Sequence, residues 1–314
     1  MAAWLNSDFQ SMLEVLRAWE ADVERELDFT LEAAALTEAR RALAEKEPHG
    51  LAANVAVPKV VEPLVTPGAF AMEFIGGAYK LSDAAAMALH GVDPSALLEN
   101  VVHLWCCQIF QNNLAHCDPH PGNILWRLVP SSSSSSSSSS AGVSSRNGTV
   151  QPVLLDWGWS LRLSEKELAG LRTFAVAMSD MDLEGAAGGL KAMGYANNQD
   201  GRAPERSVAF FAYLFRPTGT RENQAASRKA FFAERKKETE ADKKAGTREK
   251  GGRKIQSIPK SFMAVTRIFG LLRGLCTSHG VEVNLLEIMA THARLGMKMT
   301  RRREEEESRA GGGG

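Results

Sequence analysis

The run His116-Cys117-Asp118-Pro119-His120-Pro121-Gly122-Asn123 constrains this chain more than any other stretch. An acid, an amide, two prolines and a glycine within eight residues form a tight polar loop, not a helix or a strand. It is delivered by Ser95 to Leu114, whose apolar positions recur at helical spacing with few charges, and it runs into the apolar Ile124-Leu125-Trp126. Phosphoryl transfer asks little covalent chemistry of a protein: a carboxylate to orient the attacking hydroxyl, and oxygen ligands for Mg²⁺. Asp118 and Asn123, five residues apart, supply both, and the prolines hold the backbone between them.

A second acid follows one strand later. Asp156-Trp157-Gly158 closes the apolar run Val153-Leu154-Leu155, so a carboxylate sits at a strand end beside a glycine that lets the chain turn, a plausible second metal ligand. Taken alone, Asp156 is an ordinary turn aspartate. The alternation His116-x-Asp118-x-His120 also admits a zinc reading, less favoured because it gives Pro121-Gly122-Asn123 no role. His116 reads as a prop for the loop rather than a proton shuttle.

The rest of the chain predicts a mixed α+β architecture. Asp8 to Lys46 carries apolar residues at helical spacing without Gly or Pro, and residues 54–77, rich in Val and broken by Pro58, Pro63 and Pro67-Gly68, predict two short strands joined by a turn. Residues 131–140 are ten serines, a tract too polar to order itself. Segment 221–254 carries twelve Lys or Arg against six acids, which predicts a solvated helix or linker. The ending RRREEEESRAGGGG is expected to fray.

Composition excludes more than it assigns. Lys and Arg total 37 against 37 Asp and Glu, so no global field favours nucleic acid. The basic segment offers peripheral contact with anionic lipid, but its interspersed acids and lack of an aromatic ladder argue against nucleic acid. Four cysteines without CxxC spacing indicate neither a disulfide framework nor zinc. The apolar run Phe262 to Cys276 is too short to cross a bilayer of about 30 Å, and the N-terminus reads as an amphipathic helix, not a targeting peptide.

The loop HCDPHPGN, the following DWG, the upstream ELDFTLEA from Glu26 to Ala33 and the stretch SIPKSFMAVTRIFGLLRGLCTSHGVEVNLLEI resemble the AarF/UbiB atypical kinases over residues 8–300, apart from the two insertions. That resemblance implies a protein-kinase-like fold: a partial N-lobe over 1–78 and a mainly helical C-lobe over 79–300. A Ser-rich disordered insertion over 131–148, a charged insertion over 221–256 and a disordered tail over 301–314 complete the expected organisation. It further implies ATP and Mg²⁺ as cofactors, a link to ubiquinone or prenyl-lipid metabolism, a quinone-related or prenyl-lipid small molecule as a partner, and a chloroplast or mitochondrion as the compartment. Asp118 matches the catalytic-loop aspartate, Asn123 and Asp156 the metal ligands, and Glu32 the helix αC glutamate that pairs with a strand lysine. Glu26 and Asp28 match an ExD motif that contacts a KxGQ helix, and Glu73, in Met72-Glu73-Phe74, falls where such a fold places its adenine-facing hinge.

The chain departs from the family pattern at its start. Its first lysine is Lys46, after Glu32, so the strand lysine, the nucleotide loop and the KxGQ segment are missing from the N-lobe as it stands. Two further readings therefore accompany the kinase or ATPase: a non-catalytic pseudokinase-like binding module, and a small-molecule phosphotransferase of the aminoglycoside or choline type, which shares the HxDxxxxN loop and a following Asp.

Overall fold

The computed structural model describes residues 27–44, 55–130, 143–145, 148–197, 204–244 and 255–311. Glu26 and the whole serine tract 131–140 lie outside them.

Helix α1 (Phe29–Ala44) opens on Asp28, whose Oδ1 accepts from the Thr30 N–H at 3.0 Å and its hydroxyl at 2.6 Å. It packs on an antiparallel hairpin, β1 (Val60–Thr66) and β2 (Ala69–Met72), whose turn is Pro67-Gly68 as the sequence predicts. The Phe29 N–H donates to the Pro67 carbonyl at 3.1 Å, pinning the start of α1 to that turn.

Next come β3 (Ala78–Lys80), α2 (Ala84–His90) and α3 (Pro94–Cys106). Asp93 caps α3 by accepting from Ser95 N–H, and Pro94 occupies a first-turn position, where its missing N–H costs nothing. Leu97, Leu98, Val101, Val102 and Trp105 are all buried, each contributing about 1.5–3 kcal/mol relative to exposure. The helix then widens into a π-helical turn, Cys107–Gln111. Arg172 stabilises that turn by donating Nε and Nη2 to the Phe110 carbonyl at 2.9 and 2.6 Å.

Strand β4 (Ala115–His116) pairs antiparallel with β8 (Ser160–Leu161), while β5 (Ile124–Val129), β6 (Val143–Ser145) and β7 (Gly148–Leu154) join β3 in a four-stranded antiparallel sheet of order β3-β5-β7-β6. Strand β6 corrects one expectation: residues 143–145, assigned to the disordered insertion, form an edge strand on β7 with Val143 buried, and Gly148, assigned likewise, begins β7.

The remaining helices are α4 (Glu165–Ser179), α5 (Leu183–Ala192), α6 (Pro204–Leu214), α7 (Arg221–Lys244), α8 (Lys260–Ser278) and α9 (Leu285–Gly311), with β9 (Ala196–Asn197) pairing β10 (Ile255–Ser257). Helices α4 and α5 touch backbone to backbone: a Cβ on Gly170 would stand 2.8 Å from the Gly189 carbonyl. Phe174, Phe211, Phe215, Phe262 and Phe269 fill the core between α4, α6 and α8.

Of the two alternatives for the charged segment, the structure shows the helix, mostly exposed over 221–244 and anchored by Phe231, whose ring stacks on Tyr213 at 4.2 Å. The tail expected to fray continues α9 to Gly311, with arginines at 301–303 four residues ahead of glutamates at 305–307 along the helix. Among the described residues no helix is long and apolar enough to cross a membrane.

Candidate active site

Two antiparallel ladders frame a pair of loops. Pairing of His116 with Ser160, and of Ile124 with Leu154, brackets residues 117–123 and 155–159 at both ends and lays one loop against the other. The Cys117 N–H donates to the Trp159 carbonyl and the Leu155 N–H to the Asn123 carbonyl, both at 2.9 Å. Asn113, in the left-handed region at φ 50°, extends the first ladder with its side chain: Nδ2 donates to the Leu163 carbonyl at 2.8 Å, and Oδ1 accepts from the Leu163 N–H at 2.9 Å.

His116 is the prop between the loops. Its Nε2 donates to the Leu155 carbonyl at 2.9 Å and its Nδ1 accepts from the Asp118 N–H at 3.2 Å, so both ring nitrogens are spent on the backbone. Burial lowers its pKa below the ordinary 6.5, against the opposing effects of the Leu155 carbonyl and of Asp156 and Asp118. It packs between Trp105 and Trp157, with centroids at 5.6 and 4.9 Å, and Trp105 Nε1 donates to its carbonyl. A neutral, fully engaged imidazole leaves no lone pair for a metal, which removes the zinc reading. Cys117 is no nucleophile either: burial above all pushes its thiol up to about 12.

Within the first loop, Asn123 Nδ2 donates to Asp118 Oδ2 at 3.3 Å, which turns the amide oxygen away from that carboxylate. The second Asp118 oxygen accepts from Arg267 Nη2 at 3.2 Å. Arg267 comes from α8, and its guanidinium also lies 4.3 Å from the ring centroid of Trp159, bridging the two loops by charge and by cation–π contact.

Asp156 takes the left-handed conformation at φ 56°, rare for a residue with a Cβ. Its Oδ1 accepts from the Gly158 N–H at 3.3 Å. The Glu32 carboxylate converges on the same spot, since a Cβ on Gly158 would lie 3.4 Å from Asp156 Oδ1 and 3.6 Å from Glu32 Oε2. Burial, then the Asp156 charge, raises the Glu32 pKa, while the hydrogen bond donated by Trp157 N–H opposes them. Helix α1 is held across this loop a second time by the Glu38–Arg162 ion pair.

The structure thus sets Asp118 against Asn123 and Asp156 beside Glu32, on two loops that His116 joins. Among the described residues, Glu32 meets the Trp157 amide and Asp156 where a lysine was expected. Glu73 stands apart: its carboxylate lies 3.4 Å from Arg40 and accepts from the Lys59 N–H at 3.1 Å, and its own N–H donates to the Lys59 carbonyl. Asp28 caps α1, and Glu26 lies outside the described residues. Sequence reasoning missed Arg267 altogether, because it reaches Asp118 from 149 residues away and sits in an amphipathic helix where an arginine is unremarkable. Among the described residues no three His, Cys, Asp or Glu side chains group as a metal cage.

The sequence matches the ABC1 atypical kinase-like domain over residues 1–188. It is 38% identical over 76 residues to AarF domain-containing protein kinase 1 of Gallus gallus, covering 24% of this chain and 14% of that protein. A probable protein kinase UbiB of Cronobacter sakazakii is 35% identical over 112 residues, covering 36% of this chain and 19% of the relative. The chain therefore matches less than a fifth of the length of either relative. Among solved structures, the Rv3197–erythromycin complex from Mycobacterium tuberculosis superposes with a TM-score of 0.55 over 92% of this chain and 64% of that one, at 14% identity, a likeness of fold.

Proposed function

The chain belongs to the ABC1 atypical kinase-like family, and from that premise we propose that it binds ATP with Mg²⁺ and takes part in phosphoryl transfer or ATP hydrolysis linked to ubiquinone or prenyl-lipid metabolism. The observation that supports this reading is the pair of ladders laying loops 117–123 and 155–159, which carry Asp118, Asn123 and Asp156, against one another. The donor set suits the ion: carboxylates and an amide oxygen are hard ligands of the kind Mg²⁺ takes. Asp156 and Glu32, two acids side by side with no neutralising lysine among the described residues, leave a local negative charge that a divalent cation relieves.

In this reading Asn123 and Asp156 hold the metal, which when bound neutralises phosphate charge. Asp118 orients the attacking hydroxyl or water, its carboxylate set by Asn123 on one oxygen and Arg267 on the other. The Arg267 contact must be shared with, or yield to, that hydroxyl. Because the Glu73 side chain and N–H are already engaged, a hinge contact with adenine falls to its carbonyl and the residues after it.

A non-catalytic binding module is the second reading, favoured by the position of Glu32 against Trp157 and Asp156. Thermal unfolding with ATP and Mg²⁺ tests the first: saturation at a hundred times Kd stabilises by about 2.7 kcal/mol. Asp156→Asn is expected to remove the Mg²⁺-dependent part, and an unchanged shift in that variant overturns the assignment. Nucleotide binding with neither ATP hydrolysis nor phosphoryl transfer to a quinone-related or prenyl-lipid acceptor selects the second reading.

A further inference from the structure

A cavity of about 280 Å³ opens where α6 ends, α7 begins and α8 passes beneath. Arg216, Arg221 and Arg273 line it together with Gln224, Gly274 and Thr277, and none of its described lining residues is acidic. Three cations share one small space. The nearest acid in sequence, Glu222, is fully exposed on the first turn of α7 beside Arg221.

Two of these arginines have part of their bonding satisfied. Arg216 Nη1 donates to the Tyr213 carbonyl at 2.7 Å with its guanidinium over the Tyr213 ring, and Arg273 Nη1 donates to the Leu214 carbonyl. Both carbonyls belong to the last turn of α6, where helical acceptors are left over. Helix capping accounts for one donor from each of two forks that carry five. It leaves Arg216 Nε buried without a partner. Burial, then the neighbouring Arg216 charge, also lowers the Arg273 pKa, as expected where like charges face each other unneutralised. The cavity holds an unmet acceptor as well: Gln224 Oε1 is buried without a partner, its Nε2 having been spent on the Pro217 carbonyl at 3.0 Å.

We propose that this cavity is a binding site for an organic phosphate that carries a neighbouring hydroxyl. The arginines supply forked donors matched to phosphate oxygens, and the hydroxyl satisfies Gln224 Oε1. Thr277, one turn on from Arg273 and Gly274, adds a hydroxyl on the same helical face. Gly274 leaves the space itself, because a Cβ there meets nothing within 4 Å. The site lies on α8 beyond Arg267 and is independent of the phosphoryl-transfer reading.

Calorimetric titration of the full chain with glycerol 3-phosphate tests it, alongside co-sedimentation with phosphatidylcholine vesicles with and without phosphatidylglycerol. Arg221→Gln, which removes an exposed cation and no helix cap, is expected to weaken glycerol 3-phosphate binding at least about tenfold, the range set by one charge-assisted hydrogen bond. Gly274→Leu keeps all three arginines, starts its side chain into open space and is expected to abolish binding, with unfolding behaviour showing that the fold is intact. Binding of phosphatidylglycerol vesicles alone, lost in the same two variants, identifies a lipid headgroup as the source of the phosphate. Inorganic phosphate binding as tightly as glycerol 3-phosphate overturns the hydroxyl part. Failure of the unaltered chain to bind either probe, or equal binding by both variants, overturns the site.

Discussion

The paired loops around Asp118 and Asp156 and the arginine cavity at the start of α7 treat their polar groups in opposite ways. In the loops, the His116 nitrogens, the Asn113 amide and the Cys117 and Leu155 N–H groups are answered by fixed backbone partners. In the cavity, a buried guanidinium nitrogen and a buried amide oxygen find none. The loops are met almost wholly from within the fold, the buried Trp157 Nε1 and Gln108 Nε2 excepted, whereas the cavity is, in our proposal, completed from outside. Unmet buried groups cost about 1–3 kcal/mol each, a cost that a ligand in the cavity would recover.

The contrast breaks most visibly if the loops lose their prop. His116→Ala strands the Leu155 carbonyl and the Asp118 N–H and opens a hole between Trp105 and Trp157, so a loss of about 3 kcal/mol in urea unfolding is expected. The same variant carries a pH signature. A histidine whose pKa is lowered by folding contributes stability that is fully present above its ordinary 6.5 and is lost as pH falls below it. Below pH 6.5 the unaltered chain should therefore lose stability faster than His116→Ala, and parallel pH curves would remove His116 from the account.

Asp156 sharpens the comparison from the other side. Glycine at that φ relieves strain of about 1 kcal/mol, so Asp156→Gly should unfold at higher denaturant while losing the Mg²⁺-dependent stabilisation. A variant that gains stability and keeps the ligand response would show that the carboxylate is not what the strained backbone serves. Arg267→Met gives the smallest effect. Both partners of the Arg267–Asp118 pair are more than a third exposed, so its removal should change stability by only about 0.5 kcal/mol. Its consequence is expected in turnover, where freeing Asp118 Oδ1 alters the orientation of the nucleophile, read as kcat against KM.

What the sequence discloses and what it conceals follow the same division. The loops that carry Asp118, Asn123 and Asp156 are legible because they are local: prolines, glycines and flanking apolar runs fix each turn within a dozen residues. The two strands between 54 and 77 and the buried helix before the loop are legible for the same reason, through period and punctuation. The neighbourhood of Glu32 was not, because nothing along α1 says that the Trp157 amide will face it. Neither Arg267 nor the triad of Arg216, Arg221 and Arg273 leaves a local mark; each is an ordinary basic residue on an amphipathic helix or a connecting turn until the helices pack. Residues 221–244 show the limit of charge counting, since the excess of lysine and arginine is visible but the stacking of Phe231 on Tyr213 that fastens the helix is not.

The two-residue ladder between β4 and β8 limits how this region can move. With His116 and Cys117 bonded across to Ser160 and Trp159, and Asn123 bonded to Leu155, neither loop can swing without carrying the other as one rigid body. Helix α1 reaches this region through Glu32 at Trp157 and Glu38 at Arg162. Because α1 is also pinned to the Pro67 turn and packs on the β1–β2 hairpin, releasing those two contacts would let helix and hairpin shift together against the joined loops, without reshaping either loop.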